Sequence, residues 1–179
     1  VTTAIEQRAG LDVCKRLERQ GFEVTYVAVG ADGLVDPEAI RAALTDKTIL
    51  ISVMLANNEI GTIQDVAALG KLAKEKGIVF HTDATQAVGK VSVDVEAMGI
   101  DLLSCTSHML YGPKGVGALY VRRKGPRVRL APMIDGGGHE RGMRSGTVPV
   151  PLAVGFGRAA ALAREGMDDE AKRMAALRR

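Results

Sequence analysis

Two hydrophobic periods alternate along this chain, and that alternation constrains its fold more than any other feature. Residues 4–20 carry Ile5, Leu11, Cys14 and Leu17 at mostly helical spacing, and Gly21 follows as a stop. Phe22 to Val27 then switches to period two, as a strand does. Gly30 to Gly33 reads as a turn, and Asp36-Pro37 as an N-cap with proline at the first helical position. Thr48 to Met54 is nearly all apolar, which predicts a strand buried on both faces. Asp65 caps a helix through Val66, Leu69, Leu72 and Ala73 that Gly77 closes, and Ile78 to His81 is the next strand. Asp94 starts a short helix; Asp101–Cys105 and Val116–Val121 are strands; one helix runs from Pro149 through Ala160 and a second follows Gly166. Strands and helices in alternation predict an α/β layer fold, a three-layer sandwich around a mostly parallel sheet.

In such sheets ligands collect at the carboxyl ends of the strands. Those ends carry Asn57-Asn58-Glu59, Thr82-Asp83-Ala84-Thr85-Gln86 and Thr106-Ser107-His108, three polar clusters on one rim. A carboxylate at Asp83 suits a protonated ring nitrogen of a cofactor, or serves as an N-cap for the residues after it. Asn58 and Gln86 can hydrogen-bond a ring oxygen or tie loops together. Thr106 and His108 offer a hydroxyl and an imidazole for a phosphate, while a lone histidine is more often structural. Gly136-Gly137-Gly138 and Ser145-Gly146-Thr147, near Arg141 and Arg144, supply backbone N–H groups suited to an anion.

Composition excludes several other classes. Charged residues make up 25% and hydrophobic residues 46% of the chain, ordinary values for a globular domain. No apolar run approaches the ~20 residues that a helical membrane span needs. Cys14 and Cys105 form no disulfide framework and read as core thiols. His81 and His139 have no carboxylate or cysteine at ligand spacing, so no metal site is expected. Five of the eight residues from Arg122 to Arg129 are basic. No aromatics interleave with them, and the alternation from Arg127 to Leu130 predicts an edge strand with one solvated face rather than a nucleic-acid patch. No secretory leader pattern is visible, which points to the cytoplasm, or to the mitochondrial matrix in a eukaryote. Gly is 21 of 179 residues, well above the usual ~7%, and much of the excess falls in the turns at 112–117 and 136–146.

Read together, the motifs become specific. Asn57-Asn58-Glu59-Ile60-Gly61-Thr62, His81-Thr82-Asp83-Ala84-Thr85-Gln86, Ser107-His108, Tyr111-Gly112-Pro113-Lys114-Gly115 and the run from Gly136 through His139, Arg141 and Arg144 to Thr147 occur in this order. The sequence closely resembles cysteine desulfurases of the class V aminotransferase group, fold-type I enzymes that use pyridoxal 5'-phosphate (PLP), over nearly its whole length. The resemblance implies removal of sulfur from L-cysteine, leaving L-alanine and an enzyme persulfide whose sulfur goes to an iron–sulfur scaffold protein. It also implies a homodimer with sites at the subunit interface. By matching positions, Asp83 pairs with the pyridine nitrogen, and Asn58 and Gln86 bond the ring oxygen. Thr106 and His108 hold the phosphate, and Thr147 reaches the phosphate of the partner subunit.

Two positions depart from the family pattern. Met109 stands where the family has its Schiff-base lysine, and a thioether neither forms an imine nor carries a proton. Gln7 stands where the family usually has a histidine stacked on the ring, and an amide is no acid or base near neutral pH. Lys114 matches a separate family lysine beyond a Gly-Pro turn. The resemblance further implies that the nucleophilic cysteine, the substrate-gripping arginine and a small C-terminal domain lie beyond residue 179, and an N-terminal phosphate contact before Val1. The expectation is therefore the central part of a PLP-binding large domain, with apolar surface left exposed. This chain alone is expected to be inactive and to hold PLP weakly and noncovalently. Two alternatives stay open: a degenerate non-catalytic homologue acting as a binding module, or a class V enzyme with another substrate such as selenocysteine.

Overall fold

A computed structural model describes residues 1–178. It contains six strands and four α-helices: β1 (Thr2–Thr3), α1 (Arg8–Arg19), β2 (Tyr26–Val27), α2 (Pro37–Ala43), β3 (Leu50–Ser52), α3 (Val66–Lys76), β4 (Val79–Asp83), β5 (Leu102–Thr106), β6 (Gly117–Val121) and α4 (Val150–Arg178). The strands form one sheet in the order β2-β1-β3-β4-β5-β6. All neighbours are parallel except β6, which pairs antiparallel with β5. The predicted α/β class and mostly parallel sheet are met.

Register sorts the side chains onto two faces. The pairs Ile51–Phe80 and Thr82–Leu103 share one face, on which Ile51, Phe80 and Thr82 are fully buried. That face packs with Ile40 of α2 and Leu69, Leu72 and Ala73 of α3 as the core. The pairs Ser52–His81 and Asp83–Ser104 share the other face, where all four residues are half-buried. The remaining helices add little cover: α1 has no buried residue and α4 has one, Ala159.

Helix α3 shows local sequence signals acting as expected. Asp65 Oδ1 accepts from the N–H of Ala68 at 3.0 Å, and Gly77 closes the helix at φ 65°. Within α3, Gly70 lets the helix approach the 98–99 turn; a Cβ there would lie 2.1 Å from the carbonyl oxygen of Met98. Asp36 likewise caps α2 through the N–H of Glu38 at 2.9 Å.

Other expectations need correction. The 48–54 segment is buried on both faces only at its end, where Val53 and Met54 are both buried; its start is open, with Ile49 69% and Leu50 37% exposed. Only Tyr26–Val27 of the 22–27 segment pairs, because β1 is itself two residues long. Asp94 does cap, accepting from the N–H groups of Glu96 and Ala97, but Gly99 at φ 63° ends the segment as a turn before a helix forms. Residues 127–130 form no strand; the Val128 N–H returns to the Arg122 carbonyl at 3.0 Å and closes a local loop. The two expected C-terminal helices are one helix of 29 residues. Pro151 sits in its first turn, where it is tolerated, and an interior glycine such as Gly166 costs only about 1 kcal/mol relative to alanine.

Exposed apolar side chains are frequent, as expected, among them Leu119, Met133, Val154 and Leu177. No helix among the described residues is long and apolar enough to cross a membrane.

Candidate functional site

The candidate residues gather where β3, β4 and β5 end. Asp83 is the last residue of β4 and Thr106 the last of β5, on the same half-buried face. Asp83 Oδ1 accepts from the N–H of Thr85 at 2.9 Å. This is the turn-forming role that the residue alone allowed, and it uses one of the two carboxylate oxygens. The other has no donor among the described residues, so it stays available to a cationic ring N–H. Building the turn therefore does not compete with a ligand role, since it occupies only one of the two oxygens.

Thr106 Oγ1 lies 3.1 Å from Nδ1 of His108, at the start of a 3-10 turn spanning His108–Leu110. His108 is exposed and Thr106 half-buried, a hydroxyl and an imidazole facing solvent together. Asn58 stands exposed on the loop after β3. The buried Asn57 shapes that loop: its Nδ2 donates to the Ile5 carbonyl at 2.9 Å, while its Oδ1 accepts from the N–H groups of Glu59 and Ile60. The amide of Gln7 donates to Oδ1 of Asn58, which ties the start of α1 to the loop. Gln86 follows Asp83 on the next turn and is half-buried. Its backbone and side-chain oxygens both receive Nζ of Lys90, at 3.3 and 3.5 Å.

Two candidates stand apart. Thr147 is exposed before α4 and makes no side-chain hydrogen bond among the described residues. Met109 lines an apolar groove of about 660 Å³ between the 108–111 turn and α4, with Leu110, Leu162 and Met167. None of Asn58, Asp83, Gln86, Thr106, His108 or Thr147 lines that groove, whereas Lys90 does.

Sequence reasoning missed Glu6. Its Oε1 accepts from Thr3 Oγ1 at 2.6 Å and from the Met54 N–H at 2.9 Å. Burial pushes its carboxyl up to about 6, with the Asp83 charge a smaller contributor in the same direction. An acid flanked by Ile5 in a segment read as helical gave no cue to this burial. His81, assigned no site role from its sequence context, has its Nδ1 2.8 Å from Ser52 Oγ, and burial holds its pKa below the usual value. Burial also raises the thiol pKa of Cys105, as suits a core cysteine. No group of three or more His, Cys, Asp or Glu that could hold a metal occurs among the described residues.

The donor set fits PLP at three of its four handles. A carboxylate with a free oxygen suits the ring nitrogen, the amides suit the ring oxygen, and the Thr106–His108 pair suits the phosphate. The aldehyde finds no lysine at the family's position, because Met109 occupies it.

Comparison with known proteins agrees with this geometry. The chain matches the class-V aminotransferase family over residues 1–179. It is 58% identical to the cysteine desulfurase IscS of Haemophilus influenzae over 99% of its own length and 44% of that protein's. Against the cysteine desulfurase IscS of Ehrlichia chaffeensis the identity is 56%, over 99% of this chain and 43% of that protein. Among solved structures, a NifS-like protein superposes with a TM-score of 0.92 at 44% identity, over 99% of this chain and 48% of that one. SspA, solved in complex with cysteine, gives 0.85 at 46% identity, over 89% and 46%. The chain thus spans less than half the length of the curated relatives it matches. With its motifs in register and its six-stranded sheet, it belongs to the class-V aminotransferase family and is a homologue, over this span, of the IscS cysteine desulfurases.

Proposed function

We propose that this chain is the central, cofactor-holding part of the large domain of a cysteine desulfurase, and that by itself it binds PLP noncovalently without turning over substrate. The whole enzyme, on this reading, is a cytoplasmic homodimer. It takes sulfur from L-cysteine, releases L-alanine, and delivers the sulfur to a scaffold protein for iron–sulfur assembly. When bound, PLP supplies an electron sink for the substrate carbon. The chain's own residues bind and orient it. Asp83 holds the proton at the ring nitrogen through its free oxygen. Asn58 and Gln86 donate to the ring oxygen, Thr106 and His108 hold the phosphate, and Thr147 serves the site of a partner copy.

The observation that supports this reading is the common face of Asp83 and Thr106, at adjacent strand ends, with one Asp83 oxygen left over. Loss of turnover follows from Met109 and Gln7. Neither side chain moves a proton, and a thioether makes no covalent bond to an aldehyde. The same two residues favour the second reading, a homologue retained for binding alone.

Incubation with PLP followed by borohydride reduction tests the proposal. The expected result is saturable, dialysable PLP binding with no added mass after reduction and denaturation, and no alanine from L-cysteine. A stable pyridoxyl adduct on any lysine, Lys90 foremost, would overturn it, as would steady alanine production abolished by Asp83→Ala.

A further inference from the structure

The ladder between β1 and β3 ends in an unusual way. The Ser52 N–H donates to the Val1 carbonyl at 2.9 Å, as a parallel ladder requires. Two residues on, the Met54 N–H donates instead to Oε1 of Glu6, because the chain has left the sheet after Thr3. A side-chain carboxylate therefore takes the place of the next backbone carbonyl. Thr3 Oγ1 donates to the same oxygen at 2.6 Å. The second oxygen, Oε2, has no hydrogen-bond donor among the described residues and is not among the sealed unpartnered polar atoms.

On its other side Met54 neighbours β4. The N–H groups of Val53 and Leu55 donate to the carbonyls of His81 and Asp83, which extends the Ser52–His81 register so that Met54 lies beside Asp83. Met54 thus lies between the Glu6 carboxylate, which accepts from its N–H, and Asp83, its neighbour in the β4 register. Each of the two carboxylates has one oxygen pinned by a backbone N–H and one left over. Gln7, the next residue, reaches Asn58 on the same rim.

We infer that Glu6 is a positioning residue of this site that acts through Asp83: its negative charge deepens the potential at the ring-nitrogen end and keeps a bound pyridinium protonated. The inference rests on the PLP reading of the site and names a residue that reading did not contain. The two carboxylates are close enough for the Asp83 charge to add, after burial, to the upward push on the Glu6 carboxyl. The other titratable groups nearby are Cys14 of α1, whose thiol burial holds in its neutral form, and His81 of β4, which burial keeps neutral. The Val1 ammonium, next to β1, interacts with Cys14 and with neither carboxylate.

A structural role for Glu6, ending the ladder, is served equally by glutamine, whose carbonyl oxygen accepts the same two hydrogen bonds. That makes Glu6→Gln the discriminating variant. The probe is pyridoxine 5'-phosphate labelled with 15N in the ring, which lacks the aldehyde and reports its own protonation through the nitrogen chemical shift. In the unsubstituted 179-residue chain the bound ring nitrogen is expected to hold its proton to higher pH than in free solution. In Glu6→Gln the bound probe should lose that proton about half a pH unit to one pH unit earlier, the size expected for one charge a few ångströms beyond Asp83 in a partly solvated cleft. Glu6→Asp, which keeps the charge, should stay close to the unsubstituted chain. An unchanged midpoint in Glu6→Gln, or an equal fall in both variants, would overturn the inference. Absence of probe binding, or binding indifferent to Asp83→Ala, would overturn the cofactor reading and this inference with it.

Discussion

The side-chain amide of Gln7 donates to the carbonyl oxygen of Asn58, joining residues 51 positions apart in sequence. An amide has one acceptor oxygen and one NH₂ group. With its oxygen turned toward Gln7, Asn58 is left with its NH₂ group as the donor for the rim. On the proposed reading, that donor suits an anionic oxygen such as the ring oxygen of PLP.

Asn58→Asp should therefore weaken PLP binding. The substitution replaces a donor by an anion where an anion is expected to bind. The expected loss is about tenfold, the size of one lost charge-assisted contact, on the order of 1.4 kcal/mol. Equilibrium titration of PLP by absorbance measures it, and the circular dichroism melt should not move, because Asn58 is exposed.

Met109→Lys should restore what the family position supplies. An amine there can bond the PLP aldehyde, so borohydride reduction should add the pyridoxyl mass at residue 109. The apolar groove that Met109 lines holds none of the cofactor-site residues, so the adduct requires the new side chain to turn out of it toward the rim. Peptide mass mapping after reduction checks the position. An adduct elsewhere would mean that the side chain at 109 does not face the cofactor.

Stability should depend on pH through two groups with opposite signs. Glu6 has a folded pKa of about 6, raised from 4.5 mainly by burial. The folded state thus binds more protons between those values, and its contribution falls as pH rises through that window, by about 2 kcal/mol in total. His81 is lowered from 6.5, so the unfolded state binds more protons below that pH and stability falls as pH drops from there. Urea titrations across pH 4–8 should show Glu6→Gln removing the first slope. His81→Gln should flatten the second.

Arg122→Met should be strongly destabilising. The buried guanidinium meets Glu96 Oε2 at 2.9 Å through Nη1 and donates to the Ile100 carbonyl at 2.9 Å through Nη2. Its Nε lies 2.9 Å from Asp101 Oδ1, an ion-pair contact at an angle poor for a hydrogen bond. Asp101 in turn accepts from the Phe80 N–H at the start of the core strand. Removing the cation leaves Asp101 half-buried and unpaired, a loss of about 3–5 kcal/mol read from the shift in urea midpoint. Arg122→Lys should recover only part, since an ammonium cannot serve Glu96, Asp101 and two carbonyls in one plane.

Local chemistry made part of this fold legible. Asp65 and Gly77 bounded α3 because a cap and a left-handed stop act within a few residues of themselves. The strands β3 to β5 showed in their apolar periods. β1 did not, because two threonines carry no period and become a strand only by pairing with Tyr26–Val27 and Ser52. The segment 127–130 had the right period, but its Val128 N–H turns back to the Arg122 carbonyl instead of pairing with a strand. Gly166 marked a break that the helix ignores, since nothing there competes with its backbone hydrogen bonds.

The candidate site divides in the same way. The sequence alone determined which residues gather at the rim and what they lack: Asp83, Asn58, Gln86, Thr106 and His108 stand in recognisable motifs, and Met109 and Gln7 break them. Residue type and order settle that, since a thioether or an amide has the same chemistry in any fold. Only the tertiary structure decided that Asp83 keeps one oxygen free, that Gln7 turns the amide of Asn58, and that a half-buried Glu6 caps the N–H of Met54 beside Asp83. Those facts depend on which strands lie side by side and on what water is excluded from, and neither is a property of any stretch of sequence taken by itself.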